Sequence, residues 1–583
     1  MRRPARQLEH FDNLLQMFLA RAGEKGDSPF LWAKRGGAWT SISWAEAREK
    51  VIALATSLRR IGLQPGDRVM LVSENRPEWL ISDLAIMAAG CVTVPSYTTN
   101  TTRDHAHILG NSGARAVIVS SDKLAKALVP AVLTSADCHH VIGMEQIRVG
   151  QSPEWIKCHS WTKLAEGEGD PTEIERRGSE TKREDLACII YTSGTGGAPR
   201  GVMQHHGSLL HNIAGATDII STDFGWADEI FLSFLPASHA LEHTGGQLFP
   251  IGLGAQIYYA ESLEKLAANI EETRPTIMIV VPRLFEMLRQ RILKTLEGSG
   301  GLSKHLFRRA LTIGQQKYDG RLKPWDLPMD GILELTLRKK LRKKVGGRVK
   351  AWVSGGAPLN PDVGIFFQSL GITFLQGYGQ TEAGPLISCY RPSVGIKLET
   401  VGPPSGCEVR IAEDGEIMVR GENVMHGYWR NDEETARVLK DGWLATGDVG
   451  HFDKKGRIVI TDRKKDLIVN DKGDNCSPQR IEGMLTLQPE IAQAMVYGDR
   501  QPHLVGLLVP DAEIASKEDV HQRLQRAVDR VNADLSVIEK VRRFIIADEA
   551  FTIENEQMTP SMKIRRHVIG KVYGERLQAL YRR

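Results

Sequence analysis

Tyr191-Thr192-Ser193-Gly194-Thr195-Gly196-Gly197-Ala198-Pro199-Arg200-Gly201-Val202 directly follows the apolar run Leu186-Ala187-Cys188-Ile189-Ile190. The run has the length and composition of a buried strand. The twelve residues after it hold four glycines, three aliphatic hydroxyls and one cation. Glycines let backbone N–H groups turn toward an anion, and hydroxyls add donors. A strand that opens into such a loop points to phosphate handling. No Gly-Lys-Ser/Thr follows, so the loop is not a Walker A, and it does not fit Gly-x-Gly-x-x-Gly. By composition alone it also fits a plain flexible surface loop.

The flanking sequence decides in favour of an α/β fold. Ala47, Val51, Leu54 and Leu58 recur at helical spacing within 44–61. Strand-like runs follow at 68–73, 91–95 and 116–120, with a helical stretch at 79–89. After the glycine loop the alternation resumes, with strands at 231–235 and 276–281 and helices near 262–273 and 284–297. Strands alternating with helices predict parallel βαβ units. From 401 the texture changes: short strands at 408–411, 416–420 and 457–461 are separated by Gly/Asp turns, as in a compact β-rich subdomain. The charged segment Asp462-Arg463-Lys464-Lys465-Asp466 reads as a linker or a solvated turn, followed by enough chain for a small α/β domain.

Bulk properties narrow the class. A chain of 583 residues holds about three to five units of ~100–200 residues. The net charge of +4 on 75 basic and 71 acidic residues argues against nucleic-acid binding. The seven cysteines form no Cys-x-x-Cys pair, which speaks against a disulfide framework or structural zinc and for a reducing, cytoplasmic setting. Arg2, Arg3 and Arg6 precede no apolar core, and Leu14 to Leu19 fits an amphipathic helix better than a signal peptide. No stretch of ~20 apolar residues is present to form a transmembrane segment. Arg338-Lys339-Lys340-Leu341-Arg342-Lys343-Lys344 follows Ile332, Leu333, Leu335 and Leu337. Such a basic amphipathic helix could touch an anionic membrane at its periphery, although a solvated face is the commoner reading. A homodimer is left open.

Two further loops sit where strands would end. Ser354-Gly355-Gly356-Ala357-Pro358-Leu359 follows Ala351-Trp352-Val353, and Gly377-Tyr378-Gly379-Gln380-Thr381-Glu382 follows Ile372-Thr373-Phe374-Leu375. Ligands of open parallel sheets bind at the carboxyl ends of strands, so three such loops can converge. A carboxylate such as Glu382 beside phosphate-binding hydroxyls suits Mg²⁺.

Together these stretches resemble the adenylate-forming superfamily of acyl-CoA synthetases, firefly luciferase and peptide-synthetase adenylation domains. The loop at 191–202 is similar to its phosphate loop, and 378–382 to its Tyr-Gly-x-Thr-Glu motif. Thr446-Gly447-Asp448 matches Thr-Gly-Asp, and Asp462-Arg463 with Lys465 matches the interdomain hinge. Gly473-Asp474-Asn475 through Pro478 and Glu482 resembles Gly-Glu-Asn-x-x-Pro…Glu. Thr559-Pro560-Ser561-Met562-Lys563 resembles the C-terminal lysine motif. All six stand in the expected order. Leu235 to His239 with Glu242, Pro282 to Glu286, the Ser-Gly-Gly-Ala-Pro-Leu loop and Phe551 to Asn555 are most like long-chain fatty acyl-CoA synthetases.

The resemblance implies a large N-terminal domain over 1–461, built of parallel-sheet α/β subdomains plus a β-rich one. It also implies a hinge over 462–467 and a small mobile α/β lid over 468–583. It implies activation of a fatty acid by ATP to acyl-AMP and then transfer to CoA. By the same resemblance Lys563 bridges the carboxylate and the α-phosphate, Thr381 touches the α-phosphate, and His239 closes the acyl pocket. Thr192, Ser193, Gly194, Thr195 and Arg200 would cradle phosphates, with Thr192 and Glu382 on Mg²⁺. Gly356 and the backbone of Gln376, Gly377 and Tyr378 would flank adenine. Asp448 and Arg463 would bind ribose. Lys465 would be the hinge, and Gly473 would face CoA. Gly196 replaces the usual threonine, Arg200 the usual lysine, and His243 the arginine common in long-chain relatives. The alternatives are an aryl or medium-chain acid ligase, a ligase loading a carrier protein, and a catalytically weak acyl- or nucleotide-binding protein.

Overall fold

The computed structural model describes residues 7–148, 153–192, 198–298, 300–471, 474–559 and 563–582. Among these residues, two large sheets dominate. One has seven strands in the order Lys157–Ser160, His140–Gly143, Ala116–Val119, Arg68–Val72, Val92–Ser96, Leu186–Thr192 and Arg200–His205. All neighbours are parallel except the last pair, which is antiparallel. The other has eight, ordered Ser388–Cys389, Phe374–Tyr378, Ala351–Ser354, Ile277–Val280, Ile230–Ser233, Gln256–Tyr259, Pro29–Arg35 and Ala38–Ser43. Its interior pairs are parallel and its two edge pairs antiparallel.

The central strands are buried along their whole length, as in Ala116–Val119 and Ile277–Val280. Helices covering both faces of a parallel sheet require this, which is why these strands read as continuous apolar runs. The helix Trp44–Arg60 is closed at its start by a reciprocal Ser43/Glu46 capping box, and it buries Ala47, Val51, Leu54 and Leu58. Each buried Val or Leu side chain of this kind contributes about 1.5–3 kcal/mol. The helix Leu14–Lys25 has the amphipathic character expected, with Leu14, Leu15, Met17 and Phe18 buried.

One element departs from expectation. The strand expected to end at Leu375 continues to Tyr378, because Gly377 and Tyr378 pair antiparallel with Cys389 and Ser388. The chain then turns at Gly379, where a Cβ would stand 1.7 Å from the Pro385 carbonyl oxygen, so only glycine fits.

Residues 408–463 form a five-stranded antiparallel sheet. Its last strand, Ile458–Arg463, is followed by a turn over 464–466. Beyond it, Ile491–Tyr497, Leu504–Pro510 and Val541–Ile546 make a three-stranded sheet with apolar packing on both faces. Leu504 and Leu508 face a cluster with Ile481, Leu524 and Val528, whereas Val505 and Leu507 face Phe551, Ile569 and Tyr573. This alternation follows the two-residue period of a strand. All seven cysteines are free thiols. No helix among the described residues is long and apolar enough to cross a membrane.

Candidate functional site

The strand Leu186–Thr192 carries the glycine loop at its carboxyl end. Thr192 stands opposite Arg200 across the antiparallel ladder of the strands Leu186–Thr192 and Arg200–His205. Ser193, Gly194, Thr195 and Gly196 lie outside the described residues, as does Gly473. Arg200 is ion-paired with Glu434, which Arg437 also grips at 2.5 and 2.7 Å. The Arg200 guanidinium lies 4.6 Å from the Tyr428 ring centroid, a cation–π contact. Tyr428 Oη donates to Glu382 Oε1 at 2.8 Å. The residue that replaces the family's lysine is thus coupled through one aromatic ring to the carboxylate expected to serve a metal.

Glu382 belongs to the 3₁₀ turn Thr381–Ala383. Gln204 pins this turn by donating through its amide to the Thr381 carbonyl. No cluster of three or more His, Cys, Asp or Glu suited to a metal occurs among the described residues. Glu382 has one oxygen engaged by Tyr428. One carboxylate beside a phosphate loop fits Mg²⁺, which takes few protein carboxylates and completes its shell from phosphate and water.

Asp448 is the most firmly fixed acid in the site. Tyr378 Oη donates to its Oδ2 at 2.7 Å, and Arg463 Nε to its Oδ1 at 3.0 Å. Asp448 and Arg463 face each other across the strands Trp443–Phe452 and Ile458–Arg463. Thr446 Oγ1 accepts the Asp448 N–H at 3.1 Å. Burial, with the Asp448 carboxylate next in effect, keeps the Tyr378 phenol protonated. Nearby, Gln376 Nε2 donates to the Ala357 carbonyl at 3.1 Å and ties the strand Phe374–Tyr378 to the Gly356 loop. Gly356 has φ +82°, a left-handed conformation that suits glycine.

Lys563 comes from the C-terminal segment, yet it reaches this cluster. Burial lowers its pKa, and the Arg463 guanidinium acts in the same direction. Asp448 and Glu382 oppose both. On the other side His239 is pushed down to about 4 by burial, with the Lys563 ammonium adding to the effect. Lys563 therefore interacts electrostatically with His239, Arg463, Asp448 and Glu382. His239 also caps the short helix Ala240–Glu242, its Nδ1 accepting the Leu241 N–H at 3.2 Å. That bond leaves Nε2 to carry the proton of the neutral ring.

Lys465 lies in the turn after Arg463, where burial lowers its pKa and Arg437 and Arg200 add to the shift. The neighbouring Lys464 anchors the turn to Asp414 at 2.6 Å and Glu416 at 2.9 Å. Glu482 binds Arg566 at 2.5 Å and accepts the Val496 N–H at 2.6 Å, joining three elements of the C-terminal unit. His243 is fully buried against Asp83 at 2.8 Å. Glu242, hydrogen-bonded to Ser233 at 2.6 Å, is pushed up to about 8 by burial.

Sequence reasoning did not single out Tyr428, Glu434, Gln204 or Asn75. Asn75 accepts the Ala237 N–H at 2.9 Å and donates to the Leu235 carbonyl at 2.5 Å, fixing the approach to His239. None of the four carries a spacing that marks chemistry. Only the aromatic pair Tyr428-Trp429 after Gly427 offers a signal.

The sequence model described as AMP-binding enzyme matches residues 18–429, and the AMP-binding enzyme C-terminal domain matches 465–583. The chain is 31% identical to long-chain-fatty-acid–CoA ligase FadD15 of Mycobacterium tuberculosis, over 98% of this chain and 97% of that one. It is 29% identical to the peroxisomal long chain acyl-CoA synthetase 7 of Arabidopsis thaliana, over 94% and 82%. The fold matches the A domain of the carboxylic acid reductase of Segniliparus rugosus, solved with AMP and a co-purified carboxylic acid. That match has a TM-score of 0.76 at 22% identity, over 98% and 94% of the two chains.

Proposed function

Because the chain belongs to the AMP-binding enzyme family, we propose that it activates a long-chain fatty acid in two half-reactions at the cleft around Lys563. It is an AMP-forming acid–thiol ligase of mixed α/β architecture. The long-chain reading draws on the names of the relatives and on the stretches around His239 and Phe551.

In the first half-reaction a carboxylate oxygen attacks the α-phosphorus of ATP, and the bond to the β-phosphate oxygen breaks, releasing pyrophosphate. Two anions must meet, so the step needs fixed cations at the reacting oxygens. Lys563 supplies one between carboxylate and α-phosphate. Thr381 donates to the α-phosphate, and Thr192 with the loop after it receives the β- and γ-phosphates. Asp448 accepts the ribose hydroxyls while Arg463 and Tyr378 hold its carboxylate in place. Gly356, Gln376, Gly377 and Tyr378 flank the adenine. A Mg²⁺ held by Glu382 and Thr192 would neutralise phosphate charge. His239, neutral near pH 7, offers Nε2–H to the substrate carboxyl without a competing charge.

In the second half-reaction the CoA sulfur attacks the acyl carbon, AMP leaves with the bonding pair, and the thiol proton is lost. Rotation about Lys465 would withdraw Lys563 and bring the Gly473 segment to the thiol. One cleft then serves two reactions by exchanging its lid.

The observation that supports the proposal is the Asp448 carboxylate held by Tyr378 Oη at 2.7 Å and Arg463 Nε at 3.0 Å, with Tyr378 three residues before the turn that carries Thr381 and Glu382. ATP–pyrophosphate exchange over acids of graded chain length tests it, with CoA or a carrier protein as acceptor. Exchange should peak with long-chain acids, and thioester should form with CoA. Exchange confined to aryl or medium-chain acids would overturn the substrate reading, thioester only on a carrier protein the acceptor, and no exchange the activity.

A further inference from the structure

Four of the exposed large apolar side chains lie within residues 325–335. Trp325 is 73% exposed, Leu327 56%, Ile332 51% and Leu335 74%. Monomeric soluble surfaces seldom gather large apolar side chains this closely without a partner. Trp325 lies in the 3₁₀ turn Pro324–Asp326, and the other three sit on the helical segment that follows it, made of Leu327–Leu333, a wider turn Glu334–Arg338 and Lys339–Lys344. Its inner side packs Met329, Leu333 and Leu337 against Ala310 and Ile313. The outer side continues from Ile332 and Leu335 into Lys339, Lys340, Lys343 and Lys344, all exposed.

The charge on this face is one-signed once internal pairs are removed. Asp326 is ion-paired with Arg309. Asp330 binds Arg338 and Lys317, each at 2.6 Å, and Glu334 binds Arg342 at 2.6 Å. Among the described residues no carboxylate lies within ion-pair distance of the four lysines. Lys323 projects beside Trp325, its ammonium 5.5 Å from the ring centroid.

We propose that the helical face over 323–344 docks in the plane of an anionic lipid bilayer. Trp325, Leu327, Ile332 and Leu335 would enter the headgroup–acyl boundary, and the lysines would contact lipid phosphates. An interfacial helix needs an aromatic and aliphatic side, a lysine-rich flank and a rigid backing, and this face has all three. The complementary charge favours a bilayer over a second copy of this chain, whose matching face would carry the same lysines.

Sedimentation of the full chain with vesicles, without acid, ATP or CoA, tests this apart from the ligase reading. Vesicles of phosphatidylcholine with one quarter phosphatidylglycerol should bind at least tenfold better than pure phosphatidylcholine, and less at high salt. Trp325→Ala with Leu335→Ala should weaken binding about tenfold or more. Lys339→Gln with Lys343→Gln should weaken it about 20-fold. Val537→Ala, at another exposed apolar site, should leave it unchanged. Unaltered circular dichroism and melting would show that the variants fold. Equal binding to both vesicle types, no binding, or no loss in the patch variants would overturn the proposal. So would a concentration-dependent dimer that the patch variants abolish.

Discussion

Asp448 and Lys563 are held in opposite ways. Both Asp448 oxygens are fixed, by Tyr378 and Arg463, and its backbone is tied to Thr446. The Lys563 ammonium makes no hydrogen bond to a described residue. Only its backbone is anchored, its N–H donating to Thr559 Oγ1 at 3.0 Å and its carbonyl accepting the Thr559 N–H at 2.8 Å. One half of the proposed site is built into the body of the protein, and the other belongs to the C-terminal unit. Rigid placement suits a group that holds a ligand through both half-reactions. A loosely tethered cation suits a group needed for only one.

The sharpest way to break this contrast is Lys563→Ala. Acyl-AMP formation should fall about 1,000-fold or more, while thioester formation from supplied acyl-AMP stays within a few-fold. Single-turnover assays of each half-reaction read this directly. Equal loss of both would place Lys563 with the fixed half. Asp448→Ala should come next, lowering kcat/KM for ATP about 100-fold and also weakening AMP binding by calorimetry. Tyr378→Phe keeps the carboxylate and removes one of its two restraints, so a loss of about tenfold is expected. If Tyr378→Phe matched Asp448→Ala, the phenol itself would be the ligand group and Asp448 its support.

The fixed half was far more legible in the sequence than the connections within it. Continuous apolar runs announced the buried strands, because a strand covered on both faces has no polar side to show. Glycines after the strands Ala351–Ser354 and Phe374–Tyr378 marked loops, the first of which Gln376 ties to the second strand. Tyr428 showed only as an aromatic pair with Trp429 after Gly427, because its importance comes from lying between Arg200 and Glu382, residues far apart in the chain. The extension of a strand to Tyr378 depended on an edge partner ten residues later. His243 read as a bare substitution until its buried Asp83 partner came into view. The basic run at 338–344 overstated its free charge, since Arg338 is buried against Asp330 and the Ser369 carbonyl.

Arg200 tests where the fixed half ends. In the sequence it stood as a phosphate-loop cation with a planar fork in place of an ammonium. In the structure that fork is occupied by Glu434 and lies over Tyr428, which in turn holds Glu382. Arg200→Lys restores the family's common residue but gives up the planar stacking and part of the ion pair. If Arg200 acts through Tyr428, the KM for ATP should rise only two- to fivefold, the size of a partly exposed cation–π contact and salt bridge. The Mg²⁺ concentration for half-maximal rate should rise with it, and Tyr428→Phe should reproduce both changes. If the guanidinium instead leaves Glu434 to grip phosphate, the loss should approach 100-fold, as for a charge-assisted bidentate contact, and Tyr428→Phe should not match it. The smaller outcome would make Arg200 part of the rigid frame around Glu382 and leave the grip on pyrophosphate to the loop that begins at Thr192.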